Sequence, residues 1–196
     1  MQKETQPILD KFGYRKAKLE EFKKALIRIK PSKILEDSIG VFAIRELKKG
    51  TLIGEVVLLN ENLFFTWEDF KKFDKKSQEM VMRFCIGAID GFYAPADINH
   101  ISIPWHVNHC CDGNIGFDVE GNFITLRDVS ADEELCYDYG LAISNPNYKL
   151  DCKCGTPKCR GVVTGNDWKD SEYRKNNFEY MLPELKEYMR LIGIHN

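Results

Sequence analysis

The sequence has no apolar run approaching the 18 or so residues a membrane-spanning helix needs. Nor do residues 1–30 show an apolar stretch leading to a small-residue cleavage site. The expectation is a chain with no membrane partner, working in the nucleus or the cytoplasm. Net charge is nearly absent too. The 28 basic and 30 acidic side chains leave −2, which argues against direct nucleic-acid binding but not against a local acidic patch facing a basic peptide. Internal repeats and low-complexity tracts are missing. So is any glycine-rich turn between a strand and a helix, which excludes a dinucleotide-type domain; a nucleotide-like cofactor would have to be held another way. Disulfides are disfavoured in a reducing compartment, so the seven cysteines call for a different explanation.

What the chain does have is 43% apolar content with twelve Phe, eight Tyr and three Trp, enough for one domain with a real core. Leu19, Phe22, Leu26 and Ile29 recur at helical spacing and predict a helix over 7–30, stopped by Pro31. It reads as a flank packed on the domain, with a partner-binding helix as the alternative. Val41 to Ile44 predicts a strand, Lys48-Lys49-Gly50 a turn, and 52–59 a second strand. Thr66 and Asp69 mark a helix start, with Asp where a strict capping box prefers Glu. Residues 77–86 fit a helical turn or a strand, and 87–105 show no period. Residues 116–119 and 123–127 are strands joined by Glu120-Gly121-Asn122, and 134–139 is another. The tail, 170–193, is helical. Pro183 suits the first position of its last helix, and Leu185, Met189 and Ile192 share a face.

Cys152, Cys154 and Cys159 form a C-x-C-x4-C cluster around Gly155 and Pro157. Zinc takes four ligands in a tetrahedron and thiolates suit it. One donor is missing locally. His195 is distant in sequence, which leaves Cys110 or Cys111. Four protein ligands would make the site structural. Cys85 and Cys136 sit among apolar residues and read as core.

Three segments now stand in order: Asn108-His109-Cys110-Cys111-Asp112-Gly113-Asn114, Glu134-Leu135-Cys136-Tyr137-Asp138-Tyr139-Gly140, and the cysteine cluster. Their order and spacing resemble the SET-domain family of protein lysine methyltransferases with its post-SET zinc motif. Ser38-Ile39-Gly40-Val41-Phe42-Ala43 matches the family's first glycine-rich strand in part. The resemblance covers about residues 36–162. It implies a mostly β fold of small sheets around a pseudoknot, with flanking N- and C-terminal helices. The division it suggests is a helical flank at 1–33, a catalytic domain at 34–143, a post-SET zinc segment at 144–165 and a helical extension at 166–196.

The same resemblance implies methyl transfer from S-adenosylmethionine to the side-chain amine of a lysine in a protein or peptide, histone or otherwise. Tyr139 matches the tyrosine beside the methyl group. Tyr137 matches the position that helps set how many methyl groups are added, and its hydroxyl favours mono- or dimethylation. Asn108 and His109 would contact the cofactor, partly through their backbone, with Ile39, Gly40, Val41 and Phe42 lining it from the other side. Trp105, also on the expected cofactor wall, stands where the family usually has arginine. Cys111 would join Cys152, Cys154 and Cys159 on one structural zinc, because Cys110 aligns with the usual serine. Two further departures are Ser38 for the first glycine and Gly113 for a proline, the latter expected to loosen the turn before Asn114. The alternative to an enzyme is a non-catalytic SET-like module that binds a peptide or a partner.

Overall fold

In the computed structural model, which describes residues 23–54 and 63–194, the first strand falls where the sequence predicts the end of a helix. β1 (Ile27–Pro31) pairs antiparallel with β2 (Ile39–Ala43), Ile29 opposite Val41 and Pro31 opposite Ile39. This corrects the helix reading over its last turn; its first part lies outside the described residues. Two observations explain the strand. Arg28 and Lys30, two apart and so on one face of a strand, both reach the Asp132 carboxylate. The edge position of β1 also tolerates Pro31, which cannot donate to a ladder.

The remaining elements follow in short pieces: β3 (Leu52–Gly54), β4 (Leu63–Thr66), α1 (Trp67–Phe70), α2 (Lys75–Phe84), β5 (Ile86–Gly87), β6 (Gly91–Ala94), β7 (Asn108–His109), β8 (Ile115–Phe117), β9 (Phe123–Thr125), β10 (Glu134–Tyr137), β11 (Lys149–Asp151), β12 (Val162–Thr164), α3 (Ser171–Asn177) and α4 (Pro183–Leu191). They make a four-stranded sheet in the order β1-β2-β10-β7, two three-stranded sheets, β3-β9-β8 and β4-β6-β5, and the β11-β12 hairpin. Of the strand expected over 52–59, β3 is seen and the rest lies outside the described residues.

The capping box at Thr66 is complete despite its Asp. Thr66 Oγ1 accepts from the Asp69 amide at 3.1 Å, and Asp69 Oδ2 accepts from the Thr66 amide at 3.2 Å. The ambiguous stretch around 77–86 resolves as a helix started by Asp74, whose carboxylate accepts from the Lys76 and Ser77 amides. The aperiodic stretch 87–105 contains β6 and a 3-10 turn at Ile103–His106.

The main core lies among β2, β10, β8 and β9, and Val81, Phe92 and Ala94 form a second one at the β4-β6-β5 sheet. Phe117 stacks on Phe123 with ring centroids 4.7 Å apart, and Val41, Leu135, Trp168, Met181 and Met189 are essentially sealed from solvent. Burial of each such side chain stabilises by about 1.5–3 kcal/mol. Pro183 opens α4 as expected, and Leu185 and Met189 face the core. Ile192 does not share their face: it lies past the helix end and is 48% exposed.

Candidate active site and metal centre

The sheet order brings the two central motifs together. β7 runs parallel to β10, with Asn108 opposite Cys136 and His109 opposite Tyr137. Just beyond, the chain crosses itself. Asn114 Oδ1 accepts from the Cys136 amide at 2.9 Å, and its Nδ2 donates to the Glu134 carbonyl at 2.9 Å. Asn114 is therefore the structural pin of the crossing. Gly113 tightens this turn rather than loosening it. A Cβ there would lie 2.8 Å from the Tyr137 Cα and 2.9 Å from the Cys136 carbonyl oxygen, so only glycine admits the close approach.

Two cavities flank the crossing. The wider, about 370 Å3, is walled by Ile34, Leu35, Ser38 and Ile39 on one side, Trp105 to His109 and Tyr139 in the middle, and Leu150 to Cys154 on the other. The narrower, about 60 Å3, is lined largely by apolar and aromatic side chains, among them Phe123, Tyr137, Tyr139, Ile143 and Tyr148. They share Arg83, Phe84, Trp105, Val107 and Tyr139 as a common wall. At that wall the Tyr139 hydroxyl donates to the Val107 carbonyl at 3.1 Å. Burial pushes the Tyr139 phenol well up, with the neighbouring Tyr148 adding to it, so it stays neutral. Tyr137 is raised for the same reason and packs against Tyr139 at 4.8 Å between ring centroids.

Of the sequence-predicted cofactor residues, Ile39, Trp105, Asn108, His109 and Tyr139 reach the wider cavity. The structure does not bring Gly40, Val41 and Phe42 to its wall. Val41 and Phe42 are fully buried in the core, and a Cβ on Gly40 would strike Glu134 Oε1 at 2.2 Å. The Asn108 side chain points back into the fold, where Nδ2 donates to the Ile39 carbonyl at 2.8 Å and to Glu134 Oε1 at 3.1 Å. Glu134 also accepts from the Ser32 hydroxyl at 2.8 Å and the Lys33 amide at 2.6 Å. This buried carboxylate thus fixes the loop whose continuation walls the cavity through Ile34, Leu35, Ser38 and Ile39. The sequence reading gave Glu134 no role. It also missed Val107, whose contribution is a backbone carbonyl, and Arg83 and Phe84, whose helix carries no motif.

The sulfurs of Cys111, Cys152, Cys154 and Cys159 lie within 4.8 Å of one another, and this set can hold a metal ion. Cys111 to Cys152 and Cys159 to Cys152 are each 3.8 Å. Gly155, at φ 70°, turns the chain between the second and third cysteines of the arm. Cys110 and Cys136 are buried outside the set. Cys85 is half-buried at the narrow cavity, and burial alone pushes its thiol up to about 12. The arm is fastened a second time by Arg160, which binds Asp138 and also reaches Asp167 Oδ2 at 3.0 Å. Asp138 is accordingly buried, not solvent-facing.

Small sheets, a hydrogen-bonded crossing of two motifs and a three-cysteine arm that meets Cys111 of the crossing define a class as well as a shape. The chain belongs to the SET domain family, whose model matches residues 38–140. Individual relatives match stretches of different length. Histone-lysine N-methyltransferase ash1 of Drosophila melanogaster is 38% identical over 66 residues, 30% of this chain and 3% of the relative. Histone-lysine N-methyltransferase ATX2 of Arabidopsis thaliana is 37% identical over 94 residues, 44% of this chain and 8% of the relative. Histone-lysine N-methyltransferase trr of Drosophila melanogaster is 26% identical over 139 residues, 62% of this chain and 5% of the relative. The chain therefore spans less than a tenth of the length of these relatives. Among the described residues, no helix is long and apolar enough to cross a membrane.

Proposed function

We propose that this chain is a protein lysine methyltransferase using S-adenosylmethionine, with one structural zinc ion in its cysteine arm. The observation that carries the reading is the Tyr139 hydroxyl, bonded to the Val107 carbonyl on the wall common to a wide and a narrow cavity. The wide cavity falls within the roughly 300–1,000 Å3 of small-molecule sites and would take the cofactor. The narrow one suits an unbranched alkyl chain and would take the lysine. The donor set favours zinc. Thiolates about 2.3 Å from a tetrahedral ion stand about 3.8 Å apart, the separation seen for Cys111 to Cys152 and Cys159 to Cys152.

When bound, the cofactor supplies a methyl group already activated on a sulfonium. The chain's work is alignment and exclusion of water. A free lysine, with a pKa of about 10.4, is protonated near neutrality and cannot attack. The aromatic slot around Tyr137, Tyr139 and Tyr148 disfavours the ammonium by desolvation. None of the described residues lining the slot is a carboxylate, so the proton leaves through water to bulk. Tyr139 is not its acceptor, since its own proton is held by Val107 and its phenolate is disfavoured. Its oxygen lone pairs are left to orient the methyl. Tyr137 narrows the slot and limits transfer to one or two methyl groups. In this reading residues 1–33 are a flank, 34–143 the catalytic domain, 144–165 the zinc segment and 166–196 a helical extension. The substrate is a lysine in a protein or peptide, histone or non-histone.

Transfer of isotope-labelled methyl to histones and to whole-cell lysate, followed by mass spectrometry of the labelled bands, tests the reading. Label on lysine Nζ is expected. Failure to bind S-adenosylmethionine in calorimetry, with and without a lysine peptide, would favour the non-catalytic module instead.

A further inference from the structure

We propose that His109 is a positioning residue that ties the metal centre to the backbone of Tyr139 through a single fixed tautomer. The inference rests on the methyltransferase reading only for its catalytic half. His109 sits on β7 with 5% of its surface exposed, and its two ring nitrogens face different partners. Nδ1 accepts the Tyr139 amide proton at 3.1 Å. A nitrogen that accepts carries no proton, so in the neutral ring the proton is on Nε2. Nε2 lies 3.3 Å from Cys111 Sγ, one of the four sulfurs that can hold a metal. With a metal bound, the Cys111 thiolate would be an acceptor and Nε2–H its donor. The same sulfur takes the Arg160 amide at 3.4 Å, so two N–H groups fix its orientation.

The ring thus spans from a ligand sulfur to the amide of the residue whose hydroxyl meets Val107 at the shared cavity wall. It also packs edge-on against the Tyr139 ring, with centroids 5.1 Å apart. Cys111 lies two residues from His109 along the chain, and the same imidazole also holds the start of the 3-10 turn thirty residues later, just past β10. Groups that bond to metal ligands set ligand orientation, and their loss typically costs about 10–100-fold in metal affinity or activity.

The test separates the two nitrogens on the full, metal-loaded chain. In His109→Asn the amide oxygen can stand in for Nδ1 and nothing reaches the sulfur. In His109→Gln the amide nitrogen can stand in for Nε2 and the acceptor for Tyr139 is lost. Long-range proton–nitrogen NMR of the wild-type imidazole is expected to show the Nε2–H tautomer. Chelator competition is expected to show about 10–100-fold weaker zinc binding in His109→Asn and near wild-type binding in His109→Gln. The Gln variant is expected to lose kcat with little change in the KM for S-adenosylmethionine. An Nδ1–H tautomer, or equal losses of zinc affinity in both variants, would overturn the link. A wild-type chain that methylates no lysine would instead count against the methyltransferase reading, and the tautomer and zinc measurements would still decide the link.

Discussion

Arg160 holds the Asp138 carboxylate at two points, Nη1 to Oδ2 at 2.6 Å and Nη2 to Oδ1 at 2.7 Å. Asp138 stands between the two tyrosines of the proposed lysine slot, and Arg160 directly follows the last ligand cysteine. The cysteine arm is therefore joined to the crossing by an ion pair as well as by sulfur. Arg160→Met is expected to leave a buried carboxylate without its partner and to cost about 3–5 kcal/mol in urea unfolding. The Arg160→Met/Asp138→Leu double variant is expected to be more stable than Arg160→Met alone. Equal stability of the single variant and the parent would mean that the pair does not matter.

Tyr139→Phe removes the hydroxyl and keeps the ring that packs on His109 and Tyr137. Stability is expected to fall by about 1 kcal/mol, the net worth of one hydrogen bond. Methyl transfer is expected to fall by about 10²-fold or more, since small losses of alignment cost that much. Single-turnover kinetics on a confirmed substrate checks this, and an undiminished rate would remove the hydroxyl from the mechanism.

Zinc removal is expected to unfasten the wall from Leu150 to Cys154, because metal binding and folding of such an arm are one equilibrium. Elemental analysis is expected to find one zinc per chain, lost in Cys152→Ser. Cofactor affinity and transfer are expected to fall with it. A metal-free variant with full activity would end the idea that the ion holds the wall in place.

Glu184, in the first turn of α4, has a buried Oε2 with no hydrogen-bond partner among the described residues. Burial raises its pKa above the ordinary 4.5. The folded chain then holds this proton more tightly than the unfolded one. Its stabilising effect is full below the ordinary value and is lost as pH rises through the raised folded value. Glu184→Gln is expected to raise the melting temperature at pH 7 and to match the parent below about pH 4. Melting curves across pH 3–8 check the sign, and a lower melting temperature at pH 7 would reverse it.

The sequence made the crossing and the cysteine set legible because their chemistry is tied to spacing. A C-x-C-x4-C run has few uses besides a metal, and Asn108-His109 with Tyr137-Asp138-Tyr139 brought a family resemblance. The last turn of the predicted N-terminal helix was misread because Leu26 and Ile29 fit a helical period, while pairing with β2, invisible locally, overrode it. Gly40, Val41 and Phe42 resemble a cofactor strand, and burial on both strand faces keeps them from the wall of the wider cavity. Val107 and Arg160 escaped notice for opposite reasons. One acts through a carbonyl that any residue carries, and the other through a partner 22 positions away.

All four clustered sulfurs precede Trp168, Met181 and Met189, side chains that complete the main apolar core. On a ribosome adding about 5–20 residues per second, the interval from Cys159 to Met189 lasts a few seconds. During that time the nascent arm has its ion-binding groups but not the apolar seat that later supports the domain. Early capture of zinc would spare four neighbouring thiols from oxidation while the rest of the polypeptide emerges.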